Sequence, residues 1–294
     1  MLDFIVAASC CIIQFDFKFL DKILKPTRPI PFVLAATNHG SMIVNRNDYC
    51  MVGASESYGV GHQLLSTSSY SPDEIEFALA LLNLRKKYFG AGVVAIDGGA
   101  NIGVHTIEWA KHMYGWGEVH AFEAQEKIYY ALAGNIAINN CLNASAYFAA
   151  LGAQCGKMKI PVPDYLVPSS FGSLELKRKT DEFIGQQIDY SEAAMRNVSL
   201  KSIDAFNWPR VDLVKIDVEG MEVDVLNGAE KTINRTNPVM IIEIVKTDEA
   251  QVDAFLTRHG YCTYSMGMNI LAVHKTDKVN QDVKFSNLAV RQQL

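Results

Sequence analysis

The organisation of this chain follows from one apolar run that ends in a cluster of small residues, Gly92-Val93-Val94-Ala95-Ile96-Asp97-Gly98-Gly99-Ala100-Asn101-Ile102-Gly103. Its first part is short, continuous and β-branched, which is typical of a strand buried on both faces of a sheet. From Ile102 onward, apolar residues recur at helical spacing, so the run predicts a strand, a tight turn and a helix. Such a turn presents backbone N–H groups at a helix N-terminus, and glycine lets a ligand approach them closely.

Two cofactor classes use a turn of this kind. Dinucleotide sites use G-x-G-x-x-G, and counting from Gly98 the second glycine position holds Ala100. The pattern actually present is D-x-G-x-N-x-G, formed by Asp97, Gly99, Asn101 and Gly103. It resembles the S-adenosylmethionine-binding loop of class I methyltransferases, with asparagine at the middle glycine. Asparagine tolerates a positive φ better than other residues with a side chain, so this replacement costs little.

A second signal is an acid at the end of the next predicted strand, Glu118–Glu123. In both cofactor classes such an acid binds the ribose, because a carboxylate accepts hydrogen bonds from both hydroxyls of a diol. Glu123 is the candidate for this role. The full set of predicted cofactor-binding residues is Asp97, Gly98, Gly99, Asn101, Gly103, Glu123 and Asp217.

Strands and helices alternate from residue 93 onward, which predicts an α/β, doubly wound, Rossmann-like and mostly parallel sheet of seven strands. We divide the chain into an N-terminal extension (1–70), this domain (71–274) and a polar tail (275–294). Between the third and fourth strands an insert, 152–197, is too long and broken for a simple connection. It is predicted either to shape the acceptor pocket or to form a surface hairpin.

Two predictions concern the residues before the first core strand. Ser71 and Pro72, followed by acids, predict the start of a helix that ends at Gly90. The stretch Ser57–His62 is rich in small residues and predicts a connecting loop, either near the cofactor or remote from it. Strand-like pieces are predicted around residues 32–34 and 41–44.

The net charge and the cysteines indicate the class of binding partner and the cellular compartment. The net charge of −5 and the lack of a basic run argue against nucleic acid as a partner. The six cysteines are scattered and predict reduced thiols in a cytoplasmic protein. The apolar segment Phe4–Ile13 is too short to span a bilayer, so we predict no stable membrane insertion. We interpret it as a packing segment or a contact in a homo-oligomer.

Three acids follow later predicted strands: Asp217 and Glu219 after one, and Glu243 after the next. Ligands of open α/β sheets bind beyond the carboxyl ends of the strands, so these acids are predicted catalytic residues, with Asp217 central and Glu219 and Glu243 supporting it. They could bind an ammonium group, accept a proton from a hydroxyl, or bind a divalent metal. No dedicated metal-ligand spacing is present, so we assign no metal. One acid is expected to pair with Lys215 or Lys246.

Two histidines are alternative candidate bases. His105 is predicted in the first turn of the helix after the glycine loop, where the dipole favours its neutral form. A packing role is the better prediction for it. The role of His62 depends on where its loop lies.

With these pieces in order, the chain resembles the FkbM-type methyltransferases over roughly residues 40–274. The residues that carry the resemblance are Asp97–Gly103, Phe122-Glu123, Val211–Gly220, Glu230 and Ile241–Glu243. The resemblance implies S-adenosylmethionine-dependent O-methylation of a hydroxyl on a sugar, a glycan or another small-molecule natural product. The alternative from the residues alone is an NAD(P)-dependent oxidoreductase, which Ala100 disfavours.

Overall fold

The structure, a computed structural model, describes most of the chain. The described residues are 28–53, 56–180 and 182–282, with the backbone of two short strands, β1 (Val6–Ala8) and β2 (Cys11–Ile13). β1 and β2 pair antiparallel in a compact unit, Met1–Ile30, and Pro31–Leu294 forms a second unit. The side chains of the segment predicted to pack or dimerise, and the tail after residue 282, lie outside the described residues.

The larger unit begins with two antiparallel hairpins and a short helix. These are β3 (Phe32–Thr37) with β4 (Gly40–Asn45), β5 (Cys50–Val52) with β6 (Glu56–Tyr58), and α1 (Val60–Thr67). The segment Ser57–His62 is therefore not the loop that we predicted, because it ends β6 and begins α1. Its Gly61 serves close packing, since a Cβ there would lie 2.5 Å from the backbone oxygen of Asn45.

A nine-stranded, mostly parallel sheet forms the centre of this unit. Its strands are β7 (Val93–Gly98), β8 (Gly117–Glu123), β9 (Ala144–Leu151), β10 (Gly156–Ile160), β11 (Arg196–Lys201), β12 (Leu213–Ile216), β13 (Val239–Glu243), β14 (Tyr261–Met266) and β15 (Asn269–His274). The order across the sheet is β10-β11-β9-β8-β7-β12-β13-β15-β14. The seven predicted strands are all present, and two more extend the sheet beyond β9: β10 within the insert and β11, which begins at the end of the insert.

The sheet is covered on both faces. Successive strand residues point to opposite faces, so Val239 and Ile241 of β13 pack in one apolar layer and Met240 and Ile242 in the other. The chain leaves β7 in one direction across the sheet and returns to its other side at β12. This reversal between β7 and β12 is the switch point, where ligands of such sheets bind.

The remaining helices flank the sheet. They are α2 (Pro72–Phe89), α3 (Val104–His112), α4 (Glu126–Ile138), α5 (Glu222–Asn227), α6 (Glu230–Thr236) and α7 (Glu249–Arg258). α2 begins and ends as predicted, although the side chain of Ser71 makes no capping bond. α5 and α6 are separate helices, since the Asp204 carboxylate accepts the backbone N–H groups of Lys231 and Thr232 in the first turn of α6.

Among the residues that the structure describes, no helix is both long and apolar enough to cross a membrane.

Candidate active site

A cavity of about 370 Å³ opens at the carboxyl ends of β7 and its neighbouring strands. Its floor is formed by the residues that follow β7, β8, β9, β12 and β13. One wall comes from the N-terminal part of the unit, including Tyr58, Gln63 and Tyr70, and another from the insert, including Ser173 and Glu182. A volume in this range is ordinary for a small-molecule or cofactor site.

The glycine loop after β7 fits tightly against the end of β12. Gly99 has φ +79°, and a Cβ on it would lie 1.7 Å from the backbone oxygen of Asp217. Asn101 has φ +51°, in the left-handed region, as its replacement of a glycine requires. Gly103 has φ +91° and faces the side chain of Leu132. The loop therefore needs glycine at two positions, for backbone conformation and for close approach.

Glu123 lies at the end of β8 and joins this loop to the start of α4. Its two oxygens accept the backbone N–H groups of Asn101, at 3.0 Å, and of Gln125, at 2.7 Å. The side chain is buried and lines the cavity, and this burial raises the pKa of the Glu123 carboxyl to about 7. Each carboxylate oxygen keeps a further lone pair, so the group can still accept hydrogen bonds from a ligand.

The other residues of the loop motif lie behind the cavity surface. Asp97 is buried and accepts a hydrogen bond from the Thr106 hydroxyl at 2.6 Å, while its Oδ1 has no partner among the described residues. Asp97, Gly98 and Gly103 are not among the cavity-lining residues, whereas Gly99 and Asn101 are. Asp97 therefore lies beneath the loop and does not line the cavity.

The three predicted catalytic acids come together and all line the cavity. Asp217, Glu219 and Glu243 each place one carboxylate oxygen within 4.8 Å of the others. Glu219 has φ +53°, an uncommon conformation for a residue with a long side chain. Gly220 follows it with φ +96°, so two successive residues beside the acid cluster have a left-handed backbone.

Two lysines neutralise two of these acids. Lys215 lies 2.6 Å from Asp217 and Lys246 lies 2.7 Å from Glu219. Each of the two lysines named as possible partners thus forms an ion pair with a different acid. Burial lowers the pKa of Lys215, but Asp217 and other nearby carboxylates outweigh it and raise the pKa above its usual value.

Glu243 differs from its two neighbours because it has no ion-pair partner among the described residues. Its Oε2 is buried without a hydrogen-bond partner. Burial and the nearby charge of Asp217 raise the pKa of the Glu243 carboxyl to about 8, and burial likewise raises that of Glu219. Three carboxylates at this spacing could bind a divalent cation, but the ammonium groups of Lys215 and Lys246 already supply positive charge.

The histidines occupy different surroundings. His105 lines the cavity, and its Nε2 lies 3.2 Å from Oε1 of Glu74 on α2. The Nε2 of His62 is bonded to the Ser57 hydroxyl at 2.8 Å, and His62 is not a lining residue. Sequence reasoning missed Tyr58 and Tyr70 as wall residues, since no motif marks them.

The strand order of the seven core strands, the glycine loop and the acids at the strand ends define a class I methyltransferase fold. The sequence matches the family described as "Methyltransferase FkbM domain" over residues 97–262. The chain therefore belongs to the FkbM methyltransferase family, and the fold and enzyme class predicted from the sequence are confirmed.

Individual relatives carry the same enzyme class in their names. The chain is 28% identical to "Methyltransferase sdnD" of Sordaria araneosa, over 46% of this chain and 60% of that protein. It is 24% identical to "Methyltransferase 1" of Beauveria bassiana, over 74% of this chain and 90% of that protein. The alignment with the Sordaria protein thus spans less than two thirds of its length.

Among solved structures, the FkbM methyltransferase of Methylobacillus flagellatus resembles this chain with a TM-score of 0.45 and 15% identity. The likeness covers 65% of this chain and 48% of that one.

Proposed function

We propose that the protein is an S-adenosylmethionine-dependent O-methyltransferase that acts on a hydroxyl of a sugar, a glycan or another small-molecule natural product. One observation carries this proposal: a glycine loop, the acid Glu123 and an acid cluster face one cavity. A bound S-adenosylmethionine supplies an electrophilic methyl group at its sulfonium. No feature of the comparisons supports the alternative of a nicotinamide-dependent oxidoreductase.

The donor set fits this cofactor. The Glu123 carboxylate is buried at the cavity surface and can accept hydrogen bonds from the ribose diol. Gly99 and Asn101 give a surface without bulky side chains, on which an adenosyl group can approach the backbone. Lys215 and Asp217 offer opposite charges at the cavity wall, which suits the carboxylate and ammonium of an amino-acid end.

We assign the role of general base to Glu243. An alkyl hydroxyl is a poor nucleophile while it keeps its proton, and a well-placed base contributes about 10²–10⁴-fold to the rate. Glu243 lines the cavity and has an oxygen without a partner, whereas the charges of Asp217 and Glu219 are balanced by lysines. Holding the acceptor oxygen in line with the methyl group supplies a further part of the acceleration.

Asp217 was the acid that we expected to be central from the sequence, and this stays a prediction. In the structure its backbone oxygen lies close to Gly99 and its carboxylate pairs with Lys215. Both contacts are compatible with holding the cofactor rather than with taking the proton. The roles of Asp217 and Glu219 as supporting acids follow from this assignment.

Calorimetric titration with S-adenosylhomocysteine and, separately, with NAD tests the cofactor. We expect binding of the first and none of the second. Binding of NAD without binding of S-adenosylhomocysteine would refute the proposal.

The base is tested by Glu243→Gln and Asp217→Asn in a radiolabelled methyl-transfer assay with a panel of glycosides and hydroxylated natural products. Glu243→Gln should lower turnover by about 10²–10⁴-fold and leave S-adenosylhomocysteine affinity near that of the wild type. Asp217→Asn should mainly lower that affinity. The reverse pattern would give the base role to Asp217.

A further inference from the structure

The ammonium group of Lys246 contacts three oxygens from separate parts of the chain. It donates to the backbone oxygen of Ser173 at 2.7 Å and lies 2.7 Å from Oε2 of both Glu182 and Glu219. A lysine ammonium has three donors, so each has an acceptor within reach. The Lys246 side chain is 5% exposed, which makes this a buried junction rather than a surface pair.

The three contacts join segments that the sheet itself does not hold together. Lys246 follows β13 and Glu219 follows β12, whereas Ser173 and Glu182 belong to the insert between β10 and β11. All four residues line the cavity. Strand pairing anchors the insert at its two ends, on the far side of β9. Its middle is held by other contacts: the backbone N–H of Ser169 donates to the backbone oxygen of Asn47, Phe171 is buried, and Lys179 donates to the backbone oxygen of Gly220.

A second ion pair between the insert and the same region provides a comparison. Lys177 of the insert lies 2.7 Å from Asp224 on α5, but these side chains are 51% and 39% exposed. Exposed ion pairs contribute little to stability, because water solvates the two separated charges nearly as well as the charges solvate each other. Loss of one partner from a buried cluster is costly, because the remaining charge of opposite sign stays buried without a counter-charge.

We propose that Lys246 is a positioning residue that holds Ser173 and Glu182 of the insert against the acid cluster and so retains the ligand bound beneath them. The retention part rests on the proposed function, because it takes S-adenosylhomocysteine as the bound ligand. Removing the ammonium leaves Glu219 beside Asp217 and Glu243 without its counter-charge. The insert then loses its contacts with Lys246, and the part that contains Ser173 and Glu182 separates from the cluster more often.

The experiment compares Lys246→Met, Lys246→Arg and Lys177→Met with the wild type. Hydrogen–deuterium exchange of peptides covering residues 168–180, without ligand, reports on the insert. Stopped-flow displacement of bound S-adenosylhomocysteine reports its dissociation rate. Lys246→Met should raise both the exchange rate and the dissociation rate by at least about tenfold, since a buried three-way contact is lost.

The matched variants distinguish the loss of the Lys246 contacts from a general loss of stability. Lys246→Arg keeps a positive charge and N–H donors, so both of its rates should lie closer to those of the wild type than the rates of Lys246→Met do. Lys177→Met removes an exposed pair and should leave both within about twofold. Wild-type exchange in Lys246→Met, or equal effects of Lys246→Met and Lys177→Met, would overturn the proposal.

Glu182→Gln covers the case in which Lys246→Met does not fold. Glu182 is 39% exposed, so its substitution leaves the buried part of the cluster in place. Its partner Lys246 is 5% exposed, whereas Lys177 is 51% exposed, so the loss of the Glu182 charge should raise exchange in the insert although Lys177→Met does not. Unchanged exchange in a Glu182→Gln protein whose circular dichroism spectrum matches the wild type would refute the proposal. Failure of the wild type to bind S-adenosylhomocysteine would refute the proposed function alone, because the exchange measurement needs no ligand.

Discussion

Replacing Gly99 by alanine tests whether the glycine loop is shaped by its close approach to β12. Gly99 has φ +79°, and Gly115, in the turn after α3, has φ +80° with no atom within 4 Å of the position that a Cβ would take. Both substitutions place an L-residue in the left-handed region, which costs about 1–2 kcal/mol. Gly115→Ala therefore measures the conformational cost alone.

Gly99→Ala has an additional cost. Its Cβ would lie 1.7 Å from the backbone oxygen of Asp217, so the two segments must separate by roughly 2 Å to reach ordinary contact. Forcing extra volume into a well-packed site costs about 1–3 kcal/mol further. We expect Gly99→Ala to lose that much more unfolding free energy than Gly115→Ala.

Urea denaturation followed by circular dichroism gives the two losses, and calorimetry with S-adenosylhomocysteine gives the consequence for the site. Movement of the loop away from Asp217 should weaken binding in Gly99→Ala and leave it unchanged in Gly115→Ala. Equal losses of stability in the two variants would refute the close-approach argument. So would wild-type affinity in a folded Gly99→Ala protein.

Four further predictions concern buried acids. Glu123→Ala should weaken S-adenosylhomocysteine binding by about 1–3 kcal/mol in calorimetry, because the ribose hydroxyls lose their acceptor. An unchanged Kd would mean that another residue accepts the hydrogen bonds of the ribose. The kcat/KM of the wild type should rise with pH as Glu243 ionises near pH 8, and this rise should be absent in Glu243→Gln. Since the folded state binds this proton more tightly than the unfolded state, wild-type stability should fall from about pH 4.5 to 8, and Glu243→Gln should flatten that fall in urea titrations. Thr106→Val should cost about 1–3 kcal/mol of unfolding free energy, because Asp97 loses its buried donor, and a loss below about 0.5 kcal/mol would contradict that role.

The order of strands and helices was predictable from the sequence because it depends on local pattern. The buried run before Asp97 and the periodicity after Ile102 fix a strand, a turn and a helix without reference to the rest of the chain. The position of Asp217 and Glu243 at one edge follows from parallel strands alone, since their carboxyl ends meet there. The tolerance of Asn101 for a positive φ is likewise a property of one residue.

Only the tertiary structure decided which groups face one another. The pairing of Lys215 with Asp217 and of Lys246 with Glu219, which leaves Glu243 without a lysine among the described residues, depends on side-chain directions at the ends of two strands. The use of Tyr58 as a cavity wall, and the extension of the sheet by β10 and β11, depend on contacts between distant segments. A sequence records periodicity and local preference, but contacts between distant segments depend on how all the elements pack, and no local pattern encodes them.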